Sequence, residues 1–258
     1  MLKDKLMTML KVDFRRMFTT KLFYIMMGIS IIAPILILVM TTMMDGTVSV
    51  NPQTGVETVV EGFDYVWQII ATPSNADSMS MGLVSMCNIN MFYFAIAILA
   101  TIFISDDFRS GYCKNLFTSR SKKSEYVISK TIVLCLCGSL MLVGFFVGAV
   151  LGGAISNLSF DLNGVTVNNI IMCMLTKISL VLMLVPIFVV MSSVGKNKLW
   201  LSIISSCAVG MLLFMMIPLI SPLDSTIINV ILSLAGGLLF SVGLGIVSNK
   251  ILNKTSLV

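Results

Sequence analysis

The sequence predicts an all-α membrane protein: six transmembrane helices behind an N-terminal amphipathic interfacial helix, with both termini cytoplasmic. Two observations carry that prediction. Of the 258 residues, 57% are hydrophobic and only 11% charged, and the mean hydropathy is +1.00, far from the balance of a soluble domain. The basic residues also cluster in every second connection between the apolar runs, and it is the cytoplasmic loops of membrane proteins that keep Lys and Arg.

The elements follow in order. Segment 1–21 places Met7, Leu10, Phe14, Met17 and Phe18 at helical spacing on one face and Asp4, Thr8, Lys11 and Arg15 on the other. Such a helix suits the headgroup layer, as an anchor or as a lever that passes motion to the spans. Apolar runs at 22–44, 80–105, 131–155, 168–194, 199–220 and 226–249 each supply roughly the 20 residues a bilayer crossing needs. The segment before the first run holds Lys3, Lys5, Lys11, Arg15, Arg16 and Lys21, and loop 106–130 holds Arg109, Lys114, Arg120, Lys122, Lys123 and Lys130. Lys196 and Lys198 join the fourth and fifth runs, and Lys250 and Lys254 close the chain. These regions are expected inside. The outer loop 45–79 and the connections 156–167 and 221–225 contain acidic residues and no Lys or Arg. The net charge of +5 therefore reports topology, not nucleic-acid binding.

Several chemistries are excluded by composition. The chain has no His, which removes the commonest metal ligand and general base, so a metalloprotease, a His-ligated haem protein or a Ser-His hydrolase does not fit. Cys87, Cys113, Cys135, Cys137, Cys173 and Cys207 form no CxxC pair and read as small apolar core residues. Gly195-Lys196 lacks the earlier Gly of a phosphate-binding loop, because position 190 is Val, and the following hydroxyl residue, because 197 is Asn. The whole chain, 1–258, is expected to be one transmembrane domain. It is not expected to be an enzyme, and no metal or cofactor is expected within it.

Loop 106–130 is the most informative stretch. Asp106-Asp107 suits a helix start, Phe108, Tyr112 and Leu116 share a helical face, and the Ser and Lys run at 119–124 makes a polar turn. Acidic Asp107, then Gly111, Lys114, Ser119-Arg120, aromatic Tyr126 and Lys130 entering the next span resemble the cytoplasmic signature of type-2 ATP-binding-cassette exporter permeases. Tyr112 stands where that family often has Thr, and Asp107 where Glu is usual. The resemblance implies a permease in a bacterial plasma membrane, paired with a second permease copy or paralogue and with two ATPase subunits. ATP and Mg would be held by those partners. It implies a coupling helix here, with Asp107, Phe108, Arg109, Gly111, Tyr112, Lys114, Leu116 and Arg120 meeting the ATPase, and an outward-moving hydrophobic or amphipathic substrate, such as an antimicrobial peptide or a lipid. An ion-coupled secondary transporter is the alternative.

Three further features concern the membrane. Gly144, Gly148 and Gly152 recur every four residues in the third run, as do Ser233, Gly237, Ser241 and Gly245 in the sixth, a spacing that lets helices approach closely within one subunit or between two. Lys177 lies inside the fourth run, where a charge at the centre costs about 2.5 to 3.5 kcal/mol on insertion scales. It either snorkels outward or faces a wet cavity and meets Asn88 or Asn90. In the outer loop, Asn51-Pro52-Gln53-Thr54-Gly55 reads as a turn, and Phe63, Tyr65 and Trp67 as interfacial aromatics. The acidic residues there suit a cationic peptide, although positive-inside bias alone leaves outer loops acidic.

Overall fold

The structure, a computed structural model, describes residues 2–50, 57–72, 87–118, 122–162, 164–195, 198–214 and 216–254. The helices are α1 (Leu2–Thr19), α2 (Lys21–Met44), α3 (Phe92–Arg109, preceded by a 3-10 turn Ile89–Met91), α4 (Tyr112–Thr118), α5 (Lys123–Ile155), α6 (Val167–Gly195), α7 (Leu199–Phe214), α8 (Ile217–Ile220) and α9 (Ile227–Lys254). Strands β1 (Val48–Val50) and β2 (Glu57–Val59) pair antiparallel with Val48 opposite Val59.

Among the described residues five segments are long and apolar enough to cross a membrane: Lys21–Met44, Ile89–Arg109, Lys123–Ile155, Val167–Gly195 and Ile227–Asn253. The span expected at 199–220 is divided. Helix α7 has 16 residues, about 24 Å at 1.5 Å per residue, short of a hydrocarbon core about 30 Å thick. The chain then resumes in the one-turn α8, with Pro218 in its first turn, where a missing N–H costs the helix nothing.

Helices α5 and α6 form the centre. Helix α2 lies along α5, α9 lies along α6, and α3 packs on α6 and α7. The small-residue stripe of α5 explains the first pairing. A Cβ at Gly144 would come within 2.6 Å of Ser30 Oγ, one at Gly152 within 2.9 Å of Ile35 Cα, and one at Gly148 would overlap the Ile31 carbonyl. The stripe is thus a seat for α2 within the chain. On α9 the second stripe divides: Gly237 packs against Leu182 and the Ser179 carbonyl, whereas Gly245 has open space beside it.

The end of the bundle that carries segment 57–72 is closed by protein. Phe63 and Tyr65, expected at a lipid interface, are buried together with Val66, Ile69 and Ile70. Val66 donates its N–H to the Ser159 carbonyl at 3.0 Å, and a side chain at Gly153 would overlap Val66. Trp67 stacks on Phe146 and donates Nε1–H to the Phe160 carbonyl at 3.2 Å. Burial raises the pKa of the Tyr65 phenol, with the Asp64 charge adding to it. Asn157 takes a left-handed φ of 53° just past α5, a conformation Asn tolerates at helix ends. The turn expected at 51–55 lies outside the described residues.

Candidate functional site

Two polar assemblies interrupt this apolar bundle, one at the loop-106–130 end and one inside α6. The first begins with α1. Its buried line is Met9, Asp13 and Met17, spaced by four, while Met7 is 68% and Phe18 37% exposed. Of the apolar face read from the sequence, Met17 is buried and Leu10 and Phe14 pack partly against the core, while Met7 and Phe18 lie outside it. A buried carboxylate, and not an unbroken apolar stripe, sets how α1 sits, because a charge removed from water must face its partners.

Those partners come from α5. Lys130 Nζ lies 2.8 Å from Asp13 Oδ1 and 2.7 Å from Asp107 Oδ2 at the end of α3, and Ser129 donates to Asp13 Oδ2 at 2.6 Å. Arg16 adds a 2.7 Å ion pair to Asp107 Oδ1, and the Tyr126 hydroxyl donates to Asp107 Oδ2 at 3.0 Å. Asp13, Asp107 and Lys130 are fully buried. Rings complete the cage: Lys130 Nζ is 4.0 Å from the Phe103 ring centre and Arg16 Cζ 4.2 Å from that of Tyr112, within cation–π range. Burial works against the Arg16 charge, but Asp107 outweighs it and raises the guanidinium pKa. Burial, then the Asp13 charge, raises the Tyr112 phenol, which keeps it neutral.

Lys130, expected in the inner loop 106–130, is a buried residue of α5, a 33-residue helix that starts at Lys123, well before the expected 131. Asp13 and Ser129 are not picked out by the sequence, and Arg16 and Tyr126 only as a basic residue before the first run and as the aromatic of the loop signature. The available signal was Asp13 itself, an acid between two Met residues at four-residue spacing.

The proposed ATPase-facing residues divide around this cluster. Asp107 is inside it. Phe108, Tyr112 and Leu116 are half-buried, and Phe108 and Leu116 pack on the core. Gly111 turns the chain between α3 and α4 at φ +73°, a conformation Gly adopts without steric cost. Arg109 and Lys114 are exposed, and Arg120 lies outside the described residues. Arg109 also borders a surface cleft of about 490 Å³ with Lys198 and Trp200 at the start of α7. Trp200, 78% exposed, was not singled out from sequence.

The second assembly surrounds Lys177. The side chain does not snorkel: it is fully buried and donates from Nζ to Asn90 Oδ1 at 2.9 Å and to Ser221 Oγ at 3.0 Å. Tyr93 donates its hydroxyl to the Lys177 carbonyl at 2.8 Å, and Asn88 Oδ1 accepts from the Asn90 N–H at 3.0 Å, so Asn88 shapes the turn that presents Asn90. Helix α6, the start of α3 and the end of α8 meet at one ammonium. Ser221 is the contributor that sequence spacing did not reveal.

Of the packing residues, Ser233 is buried and donates to the Val230 carbonyl at 3.0 Å, and Ser241 and Gly245 line a groove between α9 and α5. Among the described residues no cluster of His, Cys, Asp or Glu has metal-binding geometry.

The model of a family described as ABC-2 family transporter protein matches residues 9–212. No curated protein and no solved structure matches the chain.

Proposed function

The chain belongs to the ABC-2 family of transporter proteins, and from that premise we propose that it is the permease subunit of an exporter driven by a separate ATPase. Six crossings, with α7 and α8 together forming the fifth, and cytoplasmic termini complete the topology in a bacterial plasma membrane. A second permease copy or paralogue and two ATPase subunits, which bind ATP and Mg, make up the transporter. It carries a hydrophobic or amphipathic substrate outward, an antimicrobial peptide or a lipid.

One arrangement supports this reading above the others. The exposed Arg109 and Lys114, with Lys198 and Trp200 beside Arg109, lie on a loop that is backed directly by the Asp13–Lys130–Asp107–Arg16 cluster. Arg and Trp are the side chains that anchor protein interfaces most often. An ATPase that moves this loop pulls on Asp107, and through Lys130 and Arg16 on α5 and α1 together. The loop, α1 and the longest span then move as one body, and the change reaches the bilayer.

The test is co-purification with a candidate ATPase subunit co-expressed with this chain. Arg109→Glu combined with Trp200→Ala weakens the complex at least about tenfold, the scale of losing two interface anchors, while membrane insertion is unchanged. Unchanged binding, or transport that survives deletion of the ATPase, rejects the reading. The buried Lys177 is what favours the alternative of ion coupling, and transport that collapses with the ion gradient at constant ATP would establish it.

A further inference from the structure

Segment 57–72 lies across one end of the bundle and is tied to three connections there. Gly62 donates its N–H to Asp45 Oδ1 at 2.9 Å, just past α2. Val66 and Trp67 donate to the carbonyls of Ser159 and Phe160, between α5 and α6. Leu223, between α8 and α9, donates its N–H to the Thr72 carbonyl at 3.0 Å. Within the segment Val66, Ile69 and Ile70 are fully buried, and Val66 fills the notch left by Gly153 of α5. The segment therefore closes this end with side chains as well as backbone.

The tie at Leu223 differs from the others in what stands behind it. Ser221, two residues earlier, is gripped from α6 at two points: Lys177 Nζ donates to its Oγ at 3.0 Å, and the Cys173 thiol, one turn before Lys177, donates to its carbonyl at 3.7 Å. The N–H and hydroxyl of Ser221 both donate to the Ile217 carbonyl at 3.0 Å. Pro222 fixes its own φ between Ser221 and Leu223, and Ser225 donates back to the Pro222 carbonyl. Residues 221–225 are thus a stiff turn with the Lys177 ammonium at one end and the Thr72 carbonyl close to the other. The grip is also releasable. Withdrawing Lys177 from Ser221 strands no countercharge, whereas withdrawing Lys130 from Asp13 or Asp107 would leave a buried carboxylate unpaired.

We propose that Lys177 latches segment 57–72 over this end of the bundle through residues 221–223, and that the ATPase cycle opens the latch. Closed, the ammonium holds Ser221, Ser221 positions Leu223, and Leu223 holds the segment at Thr72. Movement of α6 against α8 draws the ammonium away from Ser221, and the segment loses its hold on the α8–α9 connection. Lys177 is then a positioning residue that acts through Ser221 and touches no cargo. Opening by the ATPase rests on the permease reading; the latch itself does not.

Amide hydrogen exchange of the purified full chain, read by mass spectrometry, tests the latch without ATPase or cargo. Ser221→Ala, and Lys177→Met combined with Asn90→Leu so that the charge leaves together with its other acceptor, each raise exchange across 63–72 about tenfold, the scale of one lost hydrogen bond to a charged donor. Segment 144–152, where α5 seats α2, stays within about twofold of the parent. An unchanged rate at 63–72 overturns the latch, and so does an equal rise at 144–152, which is a loss of stability throughout the bundle. The opening is tested with a polar maleimide on Val66→Cys, against the parent chain as background. Labelling is slow in the resting chain and rises about tenfold when ATP is added to its complex with a co-expressed ATPase. Labelling that ATP leaves unchanged in a complex that hydrolyses it overturns the opening. Because the exchange measurement uses this chain alone, the latch stands or falls apart from the permease reading.

Discussion

Lys130 and Asp13, 117 residues apart in sequence, meet at 2.8 Å with neither side chain exposed. Their pairing fastens the first helix of the chain to the start of its longest one. Lys130 also neutralises Asp107, so one ammonium sits between two buried carboxylates. Removing a single member of a buried charge group strands the others, at about 3 to 5 kcal/mol, whereas replacing the whole group with apolar residues of similar size is often neutral. Lys130→Met is therefore expected to lower unfolding stability in detergent by about that amount, and Lys130→Met with Asp13→Leu, Asp107→Leu and Arg16→Met to recover most of it. A quadruple variant no more stable than the single one contradicts this account.

The glycine stripes make opposite predictions for the same substitution. Gly148→Leu drives a side chain into the Ile31 carbonyl and Pro34 of α2, and overpacking of a close contact costs about 1 to 3 kcal/mol. Gly236→Leu and Gly245→Leu add bulk where nothing lies within 4 Å and leave stability within about 0.5 kcal/mol. Thermal unfolding of the three variants in one detergent distinguishes packing glycines from those that face lipid.

The bundle was legible because its main signals are long and additive: runs of about 20 apolar residues and basic charge gathered in alternate connections. The Lys130 site was not, because charge counting treats every Lys near a span as belonging to a loop. Exposed Lys122 does lie in the connection before α5, whereas Lys130 lies within α5, buried against a partner 117 residues away. Lys177 was visible as an exception, since no loop could claim it, and Asn90 was within the range foreseen. Ser221 was not, because it directly follows the short α8, past the end of the apolar run, where spacing alone gives no helix face on which to place it. Phe63 and Tyr65 were misplaced for a similar reason. Aromatics near a membrane end suit an interface by composition, but here the loop folds back and pairs Tyr65 with Ser159.

The thiol of Cys113 lies behind the exposed loop and reports on its motion. Burial first, with the Asp107 charge adding to it, pushes its pKa from 9.0 to about 12. The folded state thus favours the protonated thiol, so the contribution to stability is fully present below pH 9 and is lost as pH rises from 9 towards 12. Alkylation of Cys113 in the native chain at pH 8 is expected to be far slower than in the denatured chain, since the thiolate is the nucleophile. It should accelerate under turnover with the ATPase if the loop opens. Native and denatured rates that agree at pH 8 would refute the burial argument.

Lys177 differs from Lys130 in the partners the structure gives it: Asn90 and Ser221 are neutral, where Lys130 has two carboxylates. Two hydrogen bonds to neutral groups do not repay the desolvation of an ammonium as an ion pair would, so a purely structural role predicts that an apolar replacement is tolerated. Lys177→Met is expected to insert and to unfold within about 1 to 3 kcal/mol of the parent, the cost of leaving Asn90 without its donor. Asn90→Leu added to it should restore that loss. ATP-driven efflux in cells at equal expression is expected to fall in both variants, because the ammonium ties α6, α3 and the end of α8 together at one point and the second change restores packing without the charge. Efflux that stays at the parental level in the stable double variant would reduce Lys177 to a packing residue.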